Sequence, residues 1–145
     1  MAFTGPAEDR QLIRELIGAY SDAAFRSDLE AYLACWTEDG VRTQAGQPEL
    51  RGKAALREMW NAVWGMIDRM GFFAEIGAIE VDGDRATARA YCREIMFLKG
   101  GGVWKLIGTY SDQLVREDGA WRFARRDYEL LMDEGTKPKG ELRPA

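Results

Sequence analysis

The sequence predicts one domain of the α+β class, in which helices come first and an antiparallel sheet follows. In the first half of the 145 residues, apolar side chains recur every three or four positions, as in amphipathic helices. From Phe72 onward they alternate residue by residue, as in strands. Asp82-Gly83-Asp84 and Glu117-Asp118-Gly119 separate alternating runs, and Asp-Gly is a strong hairpin signal. The helices and the sheet therefore occupy different halves of the chain.

Three helices are predicted ahead of the sheet. The first begins after Pro6 and carries its apolar residues on one stripe. Ser27-Asp28 can cap a short second helix over residues 29–35, and a third helix starts near Gly52. A brief strand over residues 41–44 is expected between the second and third helices.

Four strands in antiparallel succession are predicted in the second half. Two cover residues 72–81 and 85–98, and the other two are the arms of the Asp118-Gly119 hairpin. Lys99-Gly100-Gly101-Gly102 is expected to form a loop, because no helix follows it to build a phosphate site. One face of the third strand carries Trp104, Leu106, Gly108, Tyr110, Asp112 and Leu114.

The whole chain, residues 1–145, is interpreted as a single domain. Its core is expected to span about residues 8–132. The charged segment 133–145 contains two prolines and is expected to be a flexible tail.

Composition excludes several classes of function. A net charge of −4 and a pI near 5.0 argue against nucleic acid as a partner. The sequence contains no His, which excludes a three-His zinc site and a Ser-His-Asp triad, and we expect neither a metal nor a cofactor. Cys35 and Cys92 are expected to be reduced thiols. No apolar run of about 18 residues and no signal sequence is present, so we expect no membrane partner and a cytoplasmic protein.

Asp112 is the residue on which the functional interpretation depends. It lies on a strand face among apolar neighbours, where an unpaired charge costs several kcal/mol or becomes protonated. The carboxyl group is therefore either half of an ion pair with Arg93 or Arg126, or a group held for chemistry. Tyr20, on the buried stripe of the first helix, has the same two alternatives of core aromatic or pocket residue.

Six segments spread over about residues 8–132 agree in type and order with one known fold. They are Tyr20 with Ser27-Asp28-Leu29, Trp36-Thr37-Glu38-Asp39-Gly40-Val41, Arg51-Gly52-Lys53-Ala54-Ala55-Leu56-Arg57, Asp82-Gly83-Asp84-Arg85-Ala86, Gly108-Thr109-Tyr110-Ser111-Asp112 and Asp118-Gly119-Ala120-Trp121-Arg122-Phe123. With these segments the chain resembles the NTF2-like superfamily, and within it the SnoaL-like proteins and ketosteroid isomerases. The resemblance implies a cone, in which three N-terminal helices pack on a curved, mainly antiparallel sheet around a pocket for a small hydrophobic molecule.

The resemblance implies a carbonyl-binding site but not a complete catalytic one. Tyr20 and Asp112 match the tyrosine and the protonated aspartic acid of the isomerase oxyanion hole, in which a carboxylic acid kept neutral by its apolar site donates a hydrogen bond to an enolate. Gln44 matches the catalytic base, and an amide cannot accept a proton near neutral pH. Phe25 matches the aspartate of dehydrochlorinase-like enzymes, whose histidine is also missing. An epoxide-hydrolase-like arrangement would draw on Asp112, Arg93, Arg126 and Asp127.

The remaining expected pocket residues come from all parts of the fold. They are Phe25, Gln44, Met59, Trp60, Tyr91, Arg93, Tyr110, Leu114, Arg126 and Tyr128. Met59 and Trp60 also suit a core position on the third helix. Glu94 lies among small residues and is interpreted as structural or interfacial, and Asp9 as a surface residue.

Two functions remain open on the sequence alone. The first is an isomerase, dehydratase or cyclase acting on a carbonyl-bearing polycyclic or aromatic compound, with Tyr20 and Asp112 polarising the carbonyl. The alternative is a non-catalytic binding protein or accessory subunit that keeps the cone but lacks the base, as Gln44 indicates. In either case the fold implies a homodimer that pairs through the sheet.

Overall fold

A computed structural model describes residues 2–138, in which helices cover one face of a curved, seven-stranded sheet. Within these residues, no helix combines the length and the apolar character needed to cross a bilayer. In chain order the elements are β1 (Phe3–Thr4), α1 (Ala7–Arg26), α2 (Leu29–Ala34), β2 (Trp36–Gln44), β3 (Leu50–Arg51), α3 (Lys53–Met66), β4 (Ile67–Asp82), β5 (Arg85–Leu98), β6 (Val103–Glu117) and β7 (Ala120–Gly135).

The four long strands β4 to β7 form an antiparallel meander, which confirms the predicted α+β class. The order across the sheet is β1-β4-β5-β6-β7-β2-β3. Strand β2 comes from the helical half of the chain, yet it pairs in parallel with β7, the last strand. The sheet therefore contains parallel and antiparallel pairs of strands, and the pairing of β2 with β7 joins the two halves of the chain.

The two predicted Asp-Gly hairpins connect β4 to β5 and β6 to β7. Asp118 and Gly119 have φ values of 51° and 77°, and a type I′ turn requires positive φ at both central residues. The turn matches the right-handed twist of the flanking strands, so the local sequence determines which strands are neighbours.

The first two helices begin and end at recognisable signals. Helix α1 follows Pro6 and has acidic residues in its first turn, which the helix dipole favours. It ends at Ser27, whose left-handed conformation (φ 53°) directs its N–H to the carbonyls of the last turn. Asp28 then caps α2, because its side chain accepts a hydrogen bond from the Ala31 N–H at 3.0 Å.

Three strands are longer than the sequence patterns indicated. Strand β2 begins at Trp36. Its register against β7 shifts between Trp36 and Val41, and this shift interrupts the alternation of buried and exposed residues. Strand β4 begins at Ile67 without a loop after α3. Strand β7 continues to Gly135, into the segment expected to be a tail, because residues 133–135 pair with β6. Residues 139–145 of that segment lie outside the described residues.

The two faces of β5 differ in side-chain size and in exposure. Its small residues, Ala86 to Cys92 at every second position, face the helices and are buried. Larger side chains such as Arg89 and Tyr91 are exposed on the opposite, outer face. Because the side chains on the inner face of β5 are small, they leave room for large side chains from β6, β7 and α1.

Asp9 joins the start of α1 to the hairpins of the sheet. It is 8% exposed, not the surface residue that the sequence suggested. One of its oxygens accepts hydrogen bonds from Arg116 and from the indole N–H of Trp121, the latter at 3.1 Å. Because Trp121 is itself buried, its N–H would lack a partner without this carboxylate.

We predict that Asp9→Ala lowers the free energy of unfolding by about 1–3 kcal/mol, because it leaves the Trp121 N–H unsatisfied. Chemical denaturation followed by tryptophan fluorescence measures the change. Asp22→Ala on the same helix is the matched control, since Asp22 forms only an exposed ion pair with Arg26 and should cost about 0.5 kcal/mol or less. Equal effects of the two substitutions would contradict the structural role of Asp9.

Candidate functional site

Among residues 2–138, four charged side chains are buried on the face of the sheet that the helices cover. Arg42, Glu94, Asp112 and Arg126 are each at most 3% exposed. Isolated charges are rarely buried in this way, because each loses several kcal/mol of hydration. Two of the four are cationic and two are anionic, so their charges balance within the interior.

A β-bulge brings Arg126 into this interior. Strict alternation from the buried Phe123 would place Arg125 inside and Arg126 outside. The register between β6 and β7 shifts at Ala124, and both Phe123 and Arg126 therefore face the helices. Arg126 then lies between Asp112 on β6 and Arg42 on β2 in one row across the sheet.

Arg126 binds both carboxylate oxygens of Asp112. Its Nε donates to Oδ1 at 2.7 Å and its Nη2 donates to Oδ2 at 3.0 Å. Aromatic rings surround the guanidinium, whose carbon lies 3.8 Å from the ring centre of Tyr110, 4.1 Å from that of Phe123 and 4.5 Å from that of Tyr20. This combination of ion pair and cation–π contacts fixes the guanidinium plane.

The contact with Arg126 agrees with one of the two alternatives that the sequence left open for Asp112, the ion pair. Burial raises the pKa of Asp112, and the charge and hydrogen bonds of Arg126 oppose that rise. Burial alone would lower the pKa of Arg126, but Asp112 reverses that effect and the pKa is raised. Each oxygen of Asp112 accepts a hydrogen bond from one N–H group of Arg126. If one oxygen were protonated, its O–H would point at one of these N–H donors, so the geometry suits an ionised carboxylate. Asp112 is therefore bound to Arg126 and holds the orientation of its guanidinium.

Tyr20 extends from α1 into the same interior. Its ring centre lies 5.2 Å from that of Tyr32 and 5.8 Å from that of Phe123. Burial raises the pKa of Tyr20, and Arg126 and Arg42 only partly counteract it. The phenol is therefore protonated at neutral pH and can donate a hydrogen bond.

Tyr128 occupies space that Gly108 leaves open. The rings of Tyr128 and Tyr110 pack with centres 5.1 Å apart, and a Cβ at position 108 would overlap the Tyr128 hydroxyl. Burial raises the pKa of Tyr128, and Glu94 and Cys92 raise it further by electrostatic repulsion of a phenolate. The Tyr128 phenol is therefore protonated at neutral pH.

Glu94 is the residue whose surroundings the sequence interpretation missed. It is fully buried on the inner face of β5, two residues along from Cys92 and opposite Phe72 and Leu106. The sequence signal for this buried position was a single carboxylate on a strand face that otherwise carries small residues. The sequence interpretation exchanged the inner and outer faces of β5, and a carboxylate placed on the outer face has no role in a pocket.

Three residues expected in the pocket lie elsewhere. Tyr91 is 41% exposed and Arg93 is exposed, both on the outer face of β5, because the alternate residues Cys92 and Glu94 face inward. Phe25 is 47% exposed at the end of α1 and packs edge-to-face on Phe73, with ring centres 5.1 Å apart.

The other expected pocket residues lie on the inner side, where all but the half-buried Gln44 are buried. Trp60 stacks on Tyr32 with ring centres 4.5 Å apart, and Gln44 lies beside Tyr128 in the sheet. Met59 and Leu114 are buried in the hydrophobic core. The structure therefore brings Tyr20, Tyr110, Arg126, Tyr128, Gln44 and Trp60 to one interior region.

Many polar atoms in this region have no protein hydrogen-bond partner. Among residues 2–138, such atoms belong to Tyr20, Tyr32, Trp36, Thr37, Gln44, Trp64, Arg126 and Tyr128. Leaving one buried polar atom unsatisfied costs about 1–3 kcal/mol, so even about five would equal the usual stability of a whole domain, about 5–15 kcal/mol. These atoms are therefore the ones to which water or a ligand could hydrogen-bond.

Most of these atoms are hydrogen-bond donors. Phenol and indole groups predominate, and the Arg126 Nη1 is the one guanidinium nitrogen that the contacts with Asp112 leave over. A set of donors suits a ligand that carries oxygen acceptors. Within the described part of the chain, no three Cys, Asp or Glu side chains converge to bind a metal ion.

Comparison with protein families gives one match of nearly full length. The model of the SnoaL-like domain family matches residues 6–127. None of the curated proteins matches the chain significantly.

Solved structures share the fold over almost the whole chain. A proposed aromatic ring hydroxylase from Novosphingobium aromaticivorans has 29% sequence identity, with 92% of this chain and 96% of that chain covered and a TM-score of 0.85. A ketosteroid isomerase-like protein from Erwinia carotovora atroseptica has 26% identity, with 88% and 99% covered and a TM-score of 0.77. A proposed scytalone dehydratase from N. aromaticivorans has 21% identity, with 90% and 89% covered and a TM-score of 0.83, and supports the fold alone.

We predict that Asp112→Asn lowers the free energy of unfolding by about 3–5 kcal/mol, because it leaves the buried charge of Arg126 without its counter-ion. Asn has the shape of a protonated Asp, so the substitution distinguishes the two charge states directly. Chemical denaturation of this variant and of Asp127→Asn, whose side chain is 40% exposed, provides the comparison.

A double substitution, Asp112→Leu with Arg126→Met, should cost much less than the sum of the two single changes, because it removes both charges together. A small effect of Asp112→Asn, or additive effects of the pair, would restore the neutral-acid interpretation.

Proposed function

The chain belongs to the SnoaL-like domain family, and on this premise we propose that it is a small-molecule enzyme, an isomerase, dehydratase or cyclase acting on a carbonyl-bearing aromatic or polycyclic compound. The observation that carries the proposal is the buried, donor-rich interior around Tyr20 and Arg126. Aromatic rings from Tyr32, Trp36 and Trp60 supply the apolar surroundings that such a compound would need.

Tyr20 and Arg126 are the groups that would polarise the carbonyl. The guanidinium carbon of Arg126 lies 4.5 Å from the Tyr20 ring centre, and each side chain has a buried donor atom without a protein partner. A neutral phenol and a fixed cation both stabilise negative charge that develops on a carbonyl oxygen. Asp112 contributes indirectly, since it holds the orientation of Arg126 through two hydrogen bonds.

A neutral ligand fits the charge balance of the interior. Arg126 is paired with Asp112, and Arg42 and Glu94 contribute opposite charges, so a charged ligand would disturb the balance. A neutral carbonyl compound would bring no charge in the ground state. It would gain stabilisation only as negative charge grows on its oxygen, which is the condition for catalysis.

The alternative function is a binding protein or accessory subunit for the same kind of ligand. Gln44 favours it, because an amide stands at the position of the isomerase base in the family resemblance. Turnover of a panel of enones and hydroxy-ketones distinguishes the two functions. Tight binding without turnover of any member would favour the binding protein.

The outer face of the sheet supports a homodimer as a further part of the proposal. Phe73, Tyr91 and Met132 are 54%, 41% and 58% exposed there. Phe73, Arg93, Ile107 and Met132 are successive neighbours across four strands, so the apolar surface is continuous except for Arg93. An apolar surface on a sheet is typical of an interface between subunits.

We predict that Tyr20→Phe weakens the binding of para-nitrophenol, a mimic of a carbonyl or enolate oxygen, by about 5- to 30-fold, the effect of one hydrogen bond worth about 1–2 kcal/mol. Quenching of tryptophan fluorescence measures the affinity. Tyr91→Phe is the matched control, because it removes the same hydroxyl from the outer face. The assignment fails if both variants bind as the unchanged protein does.

We predict that the protein sediments as a dimer and that Met132→Lys shifts it to monomer, because a charge at the centre of an apolar interface must be desolvated. Leu12→Lys on α1 is the control, since Leu12 is a 39% exposed apolar residue away from the sheet. Sedimentation velocity of the three proteins measures the oligomeric state. A monomer in the unchanged protein would remove the dimer from the proposal.

A further inference from the structure

Gln44 carries a buried acceptor atom that the proposed site leaves unused. The side chain as a whole is half-buried at the end of β2, but its Oε1 atom is inaccessible to solvent and has no hydrogen-bond partner among the described residues. A buried acceptor is destabilising unless some group donates to it. The carbonyl oxygen proposed to bind at Tyr20 and Arg126 only accepts hydrogen bonds, so it cannot satisfy this atom.

The neighbours of Gln44 favour the oxygen of the amide, and not its N–H groups, at the buried position. Arg42 lies two residues earlier on the same face of β2 and carries a positive charge. The protonated phenol of Tyr128 belongs to the residue directly beside Gln44 in the sheet. A cation and a hydroxyl donor both attract the carbonyl end of an amide, so the unsatisfied atom is an acceptor.

Gln44 belongs to the same block of the sheet as the groups that would bind the carbonyl oxygen. Arg42 pairs with Arg126 and Gln44 pairs with Tyr128, so the four residues form two adjacent rows on the inner face. The ring of Tyr110 contacts both rows, because its centre lies 3.8 Å from the Arg126 guanidinium carbon and 5.1 Å from the Tyr128 ring centre. Rows two residues apart along a strand are separated by about 6–7 Å.

The row of Gln44 is the one nearer to solvent. Along the inner face of β7, the exposed fraction rises from 1% at Arg126 to 3% at Tyr128 and 38% at Leu130. Gln44 is the last residue of β2, and the two residues after it are exposed. A ligand that enters from this end therefore passes Gln44 before its carbonyl group reaches Arg126.

We infer that Gln44 is a specificity-determining residue, whose Oε1 accepts a hydrogen bond from a hydroxyl group of the ligand, and that the ligand is an aromatic ketone with this hydroxyl para to the carbonyl group. A benzene ring holds para oxygens at about the spacing of the two rows, whereas ortho oxygens lie close enough to hydrogen-bond to each other.

This inference rests on the proposed function, since it uses Tyr20 and Arg126 as the groups that bind the carbonyl oxygen. It applies equally to an enzyme and to a binding protein, because it concerns recognition of the ligand and not a chemical step.

The test compares the affinities for para-hydroxyacetophenone and para-methylacetophenone by equilibrium dialysis. The methyl group is close to the hydroxyl group in size but cannot donate a hydrogen bond. In the unchanged protein, the hydroxy ketone should bind about 5- to 30-fold more tightly, the effect of one buried hydrogen bond. Gln44→Met keeps the length of the side chain but removes the amide acceptor, and it should reduce the preference to less than about twofold.

Gln113→Met is the matched control, because it makes the same change at an exposed position on β6. It should leave the preference for the hydroxy ketone as it is in the unchanged protein. A full preference that persists in Gln44→Met would overturn the role of Gln44.

The outcomes separate this inference from the function on which it rests. Equal affinities for the two ketones in the unchanged protein would overturn the inference, and this measurement does not depend on the folding of any variant. The proposed function would stand in that case if Tyr20→Phe weakened the binding of both ketones. If neither ketone bound to the unchanged protein, the inference and the proposed function would both be overturned.

Discussion

The buried ion pair between Asp112 and Arg126 determines the arrangement of the interior. Removing either ion from water costs several kcal/mol, and only a close, bidentate ion pair recovers that energy. The pair therefore fixes the register of β6 against β7, and the bulge at Ala124 is the local distortion that makes the contact possible. Tyr20, Tyr110 and Phe123 then pack around the guanidinium. These rings come from α1, β6 and β7, so the contacts with Arg126 hold three elements together.

This arrangement lowers stability in the interior that we propose as the site. Phenols, indoles and a guanidinium nitrogen remain without protein partners in a region that apolar side chains could have filled. The deficit is offset by the apolar surface buried elsewhere, from α1 and α3 against β4 and β5. A site that holds neutral donors and paired charges in fixed positions has little reorganisation left to do when negative charge develops on a ligand.

Much of the fold could be predicted because its signals are local. The helix caps at Asp28 and Ser27, and the hairpin at Asp118 and Gly119, each act within a few residues. The face of β6 that carries Tyr110 and Asp112 also followed from simple alternation. The inner face of β5 was misassigned because the long side chains of Tyr91 and Arg93 were expected to line the pocket, whereas the small residues on the other face pack against the helices. Strand β2 was predicted too short because a register shift after Trp36 interrupts the alternation of its residues.

The position of β2 has a consequence for the order in which the protein acquires its site during synthesis. Arg42 lies beside Arg126, so the parallel pairing of β2 with β7 joins segments that are far apart in the chain. The helices and the β4–β5 hairpin depend on local contacts and can form on the ribosome, but Arg42 reaches its final neighbours only after β7 has been translated. Nascent chains that end before β7 therefore carry an exposed guanidinium and an unpaired strand margin, the kind of surface that chaperones bind.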